Sequence, residues 1–157
     1  MYKYYNANAL GKESDDCTIR SISCATGKSW DYVYEHLSDI AQAEGTMMDN
    51  REFIIDYLDK RYIRLPYVKG TVGYISKKYP NNILLITMQG HITCSKYGNI
   101  YDTFDCSDRI AEYVWIVDWQ IYKKIIYRLN RGWSIEQALT IPTKGLFRKV
   151  YNNEHKW

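Results

Sequence analysis

Apolar residues in this chain fall into helix-spaced stripes first and strand-length blocks second. A polar run, Gly11-Lys12-Glu13-Ser14-Asp15-Asp16, gives way to Cys17-Thr18-Ile19-Arg20-Ser21-Ile22-Ser23-Cys24-Ala25-Thr26, a short helical pattern closed by Gly27. Ser29 stands as a cap before Trp30, Val33, Tyr34, Leu37 and Ile40, whose spacing predicts a second helix ending near Gly45. Asp49 with Glu52 three residues on has the form of a capping box ahead of Phe53, Ile54, Tyr57 and Leu58, so a third helix is expected. Residues Arg61 to Val68 read as a strand, and Thr71 caps a short helix from Val72 to Lys78 stopped by Pro80. Ile83-Leu84-Leu85-Ile86-Thr87-Met88 is a continuous apolar run, as expected of a strand buried on both faces. His91 to Lys96, Ile100 to Phe104 and Tyr113 to Val117 complete an antiparallel set. Helices followed by an antiparallel sheet predict an α+β domain.

A chain of 157 residues with 46% hydrophobic content is long enough for one ordinary core and too apolar to be disordered. No apolar stretch approaches the roughly 20 residues of a membrane span, and Met1-Tyr2-Lys3-Tyr4-Tyr5-Asn6 lacks the apolar core of a secretory signal. A soluble, cytoplasmic protein without membrane partners is therefore expected, and its four cysteines read as free thiols or ligands in place of a disulfide frame. The formal charge of +3 conceals an uneven distribution: residues 1–118 sum to −3 and residues 119–157 to +6. That boundary divides the chain into an expected main domain, 1–118, and a basic helical appendage, 119–157. The 16 tyrosines are spread along the chain and are ascribed to compositional bias.

Cys17 is the first candidate for chemistry. A thiol in the first helical turn sits at the positive end of the backbone dipoles, where the thiolate is favoured and free amide groups point outward. Further on come Gly90-His91 at the head of an alternating run and Asp102-Thr103-Phe104-Asp105 beyond a Gly-centred turn. A helix-borne Cys, a strand-borne His and a carboxylate behind it are the parts of a thiol-protease triad in that chain order. Two aspartates compete for the third place. Pairing through Lys96-Tyr97-Gly98-Asn99 sets His91 opposite any residue from 102 to 106, and a single step of register changes the face. Asp102 and Asp105, three apart on a strand, point to opposite faces, so only one serves.

The segments Asp16-Cys17-Thr18-Ile19-Arg20-Ser21-Ile22, Thr26-Gly27-Lys28-Ser29-Trp30, Thr71-Val72-Gly73, Gly90-His91-Ile92-Thr93 and Tyr101-Asp102-Thr103-Phe104-Asp105-Cys106 together resemble small phage-encoded papain-like cysteine peptidases. The resemblance covers roughly residues 5–117. It implies thiol attack on a peptide, isopeptide or related acyl bond of a polypeptide substrate, without a cofactor, inside a host cytoplasm. Asp102-Thr103-Phe104 echoes the Asn-Ser-Trp of that family, which favours Asp102 over Asp105 as the residue orienting His91. The resemblance also implies an oxyanion met by the Cys17 amide and a second donor. The family's Gln position, six residues before the nucleophile, is Gly11 here, which leaves Asn6 and Asn8 as substitutes.

A zinc site is the chemical rival, because Cys17, Cys24, His91, Cys94 and Cys106 supply suitable ligand types. Spacing opposes it. Seven residues separate Cys17 from Cys24, about 10.5 Å along a helix, and His91 and Cys94 fall on opposite strand faces, so no metal is expected. In the tail, Tyr122, Ile125, Ile126 and Leu129 form an apolar stripe, while Lys124, Arg128 and Arg131 line another face. Gly132 breaks this helix, and Ser134 caps a second containing Ile135, Ala138 and Leu139 before Pro142. The segment from Tyr127 to Thr140 resembles a helix-turn-helix motif at the ends of phage DNA-associated proteins. Lys144, Arg148 and Lys149 extend the positive charge, as a phosphate-contacting arm does. Two readings of the tail stand side by side, nucleic-acid contact and a solvated helix pair. The corresponding functional alternatives are a thiol hydrolase, with an acyl transferase as its chemical neighbour, and a non-catalytic binder or inhibitor of host machinery acting through the basic helices.

Overall fold

The structure is a computed structural model that describes residues 1–117 and 125–140. The chain divides into two compact units, Met1–Lys123 and Lys124–Trp157, a boundary five residues beyond the one read from charge. The first unit is a mixed α+β fold whose elements run β1 (Tyr2–Tyr4), α1 (Cys17–Thr26), α2 (Trp30–Ala43), α3 (Arg51–Asp59), β2 (Ile63–Arg64), α4 (Val72–Lys78), β3 (Ile83–Met88), β4 (His91–Lys96), β5 (Asn99–Asp102) and β6 (Tyr113–Ile116). No helix among the described residues is long and apolar enough to cross a membrane.

Local chemistry fixes most helix ends. Gly27 adopts φ 73° and its N–H bonds the carbonyl of Ser23, a left-handed stop that a side chain would strain. Ser29 and Thr71 accept from the amides of Tyr32 and Tyr74, as the capping patterns predict. At α3 the cap is Asn50, which accepts from the Phe53 amide, and not Asp49. The turn closed by Asn50 N–H to Met47 O brings Asn50 to the position just before the helix, and only a residue there can reach the first-turn amides.

The six strands form one sheet in the order β1-β5-β4-β3-β6-β2. It is mixed and not antiparallel throughout, because β1 pairs in parallel with β5, Tyr4 lying beside Asp102. Three residues are too short a run to show alternation, so nothing local announces β1. The strand expected over Arg61 to Val68 shrinks to Ile63–Arg64. Leu65 still donates to Val114 O, but Pro66 has no N–H and Tyr67 turns into a left-handed conformation at φ 52°, which ends the pairing.

Strand β3 lies between β4 and β6 and is buried along both faces, with Leu84, Leu85 and Ile86 fully covered. Alternate residues serve different layers. Leu85, Ile92, Cys94 and Trp115 join Ile19, Ile22, Cys24, Ala25, Val33, Leu37, Phe53, Tyr57 and Leu58 in one core between the sheet and α1–α3. On the opposite face the hydroxyls of Ser76 on α4 and Ser95 on β4 are 2.7 Å apart. Helix α1 is buried from Thr18 to Ala25. Ser21 Oγ donates to Ile92 O at 2.9 Å, and Lys96 Nζ donates to Cys24 O at 3.0 Å, so two side-chain bonds tie α1 to β4.

In the second unit, residues 125–129 are helical and a turn with Gly132 at φ 81° leads to α5 (Ile135–Thr140). Ser134 and Gln137 form a reciprocal capping box: Gln137 N–H bonds Ser134 Oγ at 3.1 Å and Ser134 N–H bonds Gln137 Oε1 at 3.0 Å.

Candidate active site

Cys17 is the first residue of α1, and Asp16 stands at the cap position without using its side chain as a cap. The helix's own ladder begins with Arg20 N–H to Asp16 O, so the amides of the first turn, that of Cys17 included, precede it. His91 is the first residue of β4, set there by the turn through Gln89 and Gly90, with Gly90 at φ 67°. Asp102 is the last residue of β5. Its register follows from the two-residue turn Tyr97-Gly98, both residues at positive φ (52° and 79°), which pairs Lys96 with Asn99 and Cys94 with Tyr101. One step further sets Thr93 across from Asp102, and directly opposed residues share a face with their i±2 neighbours. His91 and Asp102 therefore meet.

Three side chains form a line. His91 Nε2 lies 2.8 Å from Asp102 Oδ2, which leaves Nδ1 as the ring nitrogen for the Cys17 thiol. The His91 ring and the Ile92 backbone are close enough to Cys17 to stabilise charge on its sulfur. Burial pushes the Cys17 thiol up, but the bond to His91, the Ile92 amide and the charges of His91 and Arg20 outweigh it, and the thiol is held below its ordinary value. Burial likewise opposes the imidazolium, yet the bonds to Asp102 and Cys17 raise the His91 pKa to about 9. Asp102 is almost fully buried, which alone would raise it; the bonds from His91, Thr93 and the Thr103 amide hold it below the usual carboxylate range. These shifts favour a thiolate beside an imidazolium, with Asp102 ionised behind them.

Both oxygens of Asp102 are committed. Oδ1 accepts from Arg20 Nη2 at 3.1 Å and from the Thr103 amide at 2.8 Å; Oδ2 faces His91 and, at 3.9 Å, the Cys106 thiol, itself kept protonated by burial with a pKa of about 11. On its outer edge β1 holds the backbone, Tyr5 N–H donating to Asp102 O at 2.8 Å. Phe104 packs against the imidazole with ring centroids 4.8 Å apart. Asp105 is elsewhere: it is exposed and accepts from the Ser107 amide at 2.9 Å. Of the two competing carboxylates the register places Asp102 beside His91, while Asp105 lies beyond the end of β5, exposed and taken up by the Ser107 amide.

Sequence reasoning missed the buried charges behind this line. Arg20 donates through Nη1 to Asp16 Oδ1, and Trp30 Nε1 donates to Asp16 Oδ2 at 2.8 Å. Opposite charges four apart in the first turn of α1 were the one legible signal; the links to Asp102 and Trp30 are tertiary. Asn6 and Asn8 shape the loop before α1. Asn6 accepts from the Asn8 amide and donates to Lys12 O, while Asn8 accepts from the Leu10 amide. Cys24 and Cys94 are free thiols buried in the core between the sheet and the helices. Among the described residues no three His, Cys, Asp or Glu side chains are grouped to hold a metal ion.

Of the basic residues in the second unit, Arg128 donates to Ala138 O at 2.6 Å and stacks on Trp133, and Arg131 lies over Tyr127. Arg128 thus closes the helical turn from within. Lys124, Lys144, Arg148 and Lys149 lie outside the described residues.

Fold and site together define an α+β protein carrying a thiol–imidazole–carboxylate line between a helix tip and the head of a strand. No protein-family model, curated protein or solved structure matches this chain.

Proposed function

We propose that this chain is a thiol hydrolase of the papain-like type, cleaving a peptide or isopeptide bond with Cys17 as nucleophile, His91 as proton carrier and Asp102 as the group that orients His91. The observation that carries the reading is His91, bonded through Nε2 to a buried Asp102 and close enough to Cys17 to lower the pKa of its thiol. A chance buried cysteine needs neither an imidazole on its sulfur nor a carboxylate behind that imidazole.

The chemistry follows from the two ends of the line. Cys17 thiolate attacks the carbonyl carbon, and a C–S bond forms as the carbonyl oxygen takes up the charge beside the outward amides of the α1 first turn. His91 Nδ1 gives its proton to the leaving nitrogen, the C–N bond breaks, and an acyl-thioester remains on Cys17. Neutral His91 then takes a proton from water, hydroxide equivalent adds to the thioester, and the carboxylic acid departs as the thiolate–imidazolium pair is restored. Asp102 holds the ring in the tautomer that keeps Nδ1 toward sulfur throughout.

A peptide-based electrophile that alkylates activated thiols tests this reading. Labelling of the wild type at neutral pH, lost in Cys17→Ala and in His91→Ala with the fold retained, is expected. Labelling that persists at full rate without Cys17, or fails in the folded wild type, refutes it and favours a binder built on the same scaffold.

A further inference from the structure

Directly behind His91, a buried group of charges joins α1 to Asp102. Arg20 and Asp16 are each about 4% exposed and Asp102 about 1%. Burying an arginine between two carboxylates does not by itself stabilise a fold, since a well-packed apolar set does as well or better. The contacts specify something else. Arg20 divides its fork, Nη1 to Asp16 and Nη2 to Asp102 Oδ1. Trp30 Nε1, from the first residue of α2, occupies the second Asp16 oxygen. The carboxylate of Asp102, with Oδ1 taken by Arg20 and the Thr103 amide, cannot turn and presents Oδ2 to His91.

We propose that Arg20 is a positioning residue for this site: held by Asp16, which Trp30 holds in turn, it locks the Asp102 carboxylate so that one oxygen is always aimed at His91 Nε2. The proposal rests on the thiol-hydrolase reading for its consequence in catalysis, and the same helix carries both ends of the device. Cys17 lies between Asp16 and Arg20 in the first turn of α1, so any shift of the helix moves nucleophile and orienting carboxylate together and preserves their relation. A lysine cannot reproduce this, because its single ammonium lacks the planar fork that reaches two carboxylates at once.

The test uses the full chain as wild type, Arg20→Lys and Trp30→Phe. The first variant keeps the charge and loses the fork; the second removes only the indole donor. Two measurements are made beside thermal melting: the proton resonance of the His91 Nε2–H, which moves far downfield and is shielded from exchange when bonded to a fixed carboxylate, and the rate at which iodoacetamide alkylates Cys17 at neutral pH. In Arg20→Lys the resonance is expected to move upfield and exchange with water, with alkylation slowed about 10-fold, and Trp30→Phe to show the same changes to a smaller degree. A folded variant of either kind whose resonance and rate stay at wild-type values overturns the proposal, as does a loss of melting temperature alone. Should Arg20→Lys not fold, Trp30→Phe decides the matter. Failure of the hydrolase reading looks different: the wild type would alkylate like an ordinary thiol, while the ring-proton resonance still reports whether Arg20 fixes Asp102.

Discussion

Replacing Asp102 by Asn removes one charge and almost no volume. The side-chain amide keeps an oxygen for Arg20 and the Thr103 amide, which now bond Oδ1 at 3.1 and 2.8 Å, so the fold is expected to persist. What is lost is the charge-assisted bond of 2.8 Å to His91 Nε2. A hydrogen bond to a charged partner contributes about 1.5–3 kcal/mol, and about 1.4 kcal/mol corresponds to a tenfold change in a proton equilibrium. The His91 imidazolium, which now releases its proton at about 9, should therefore release it roughly one to two pH units lower. The range in which thiolate and imidazolium coexist then shrinks from its alkaline side. An NMR titration of the His91 ring in wild type and Asp102→Asn, with thermal melting to verify the fold, measures the change directly. A midpoint that stays near the wild-type value in the folded variant would refute the claim that Asp102 holds the imidazolium.

Stability should follow pH in a way that links the same groups. Asp102 and Cys17 are held below their ordinary values, so their contribution is present above those ordinary ranges and is lost as pH falls; acid should lower the melting temperature of the wild type more than that of Asp102→Asn. His91, raised to about 9, contributes fully below its unfolded value of about 6.5 and loses that contribution as pH rises toward 9, while the lowered Cys17 thiol acts in the opposite sense. Without the thiol that opposing contribution is gone, so the melting temperature of Cys17→Ala should fall more steeply above neutral pH than that of the wild type. Leu85→Ala, which empties a fully covered site in the sheet core, should cost about 2–5 kcal/mol in urea unfolding, and a loss under 1 kcal/mol would contradict the packing. Gly27→Ala places a side chain at φ 73° and should cost about 1 kcal/mol; an equal or higher unfolding midpoint would argue against the left-handed stop.

Short-range chemistry made much of this protein legible from its residues alone. The bounds of α1, the caps Ser29, Thr71 and Ser134 and the doubly buried β3 each depend on groups within four positions of one another, and a linear reading contains them. Cys17 at a helix tip and His91 at a strand head were visible for the same reason. Asp102 was favoured over Asp105 only through a family resemblance; hairpin arithmetic left the two open, because the register is fixed by two positive-φ residues, Tyr97 and Gly98, and a slip of one residue reverses every face. Strand β1 and the Arg20 fork were hidden more deeply: Tyr4 lies beside Asp102, and Arg20 reaches it, only after some eighty to a hundred residues of chain have folded back. Sequence alone determined which side chains could do thiol chemistry and which local elements would carry them. The tertiary structure decided which of those side chains touch, since a hydrogen bond of 3 Å is set by packing between distant segments and leaves no periodic trace along the chain.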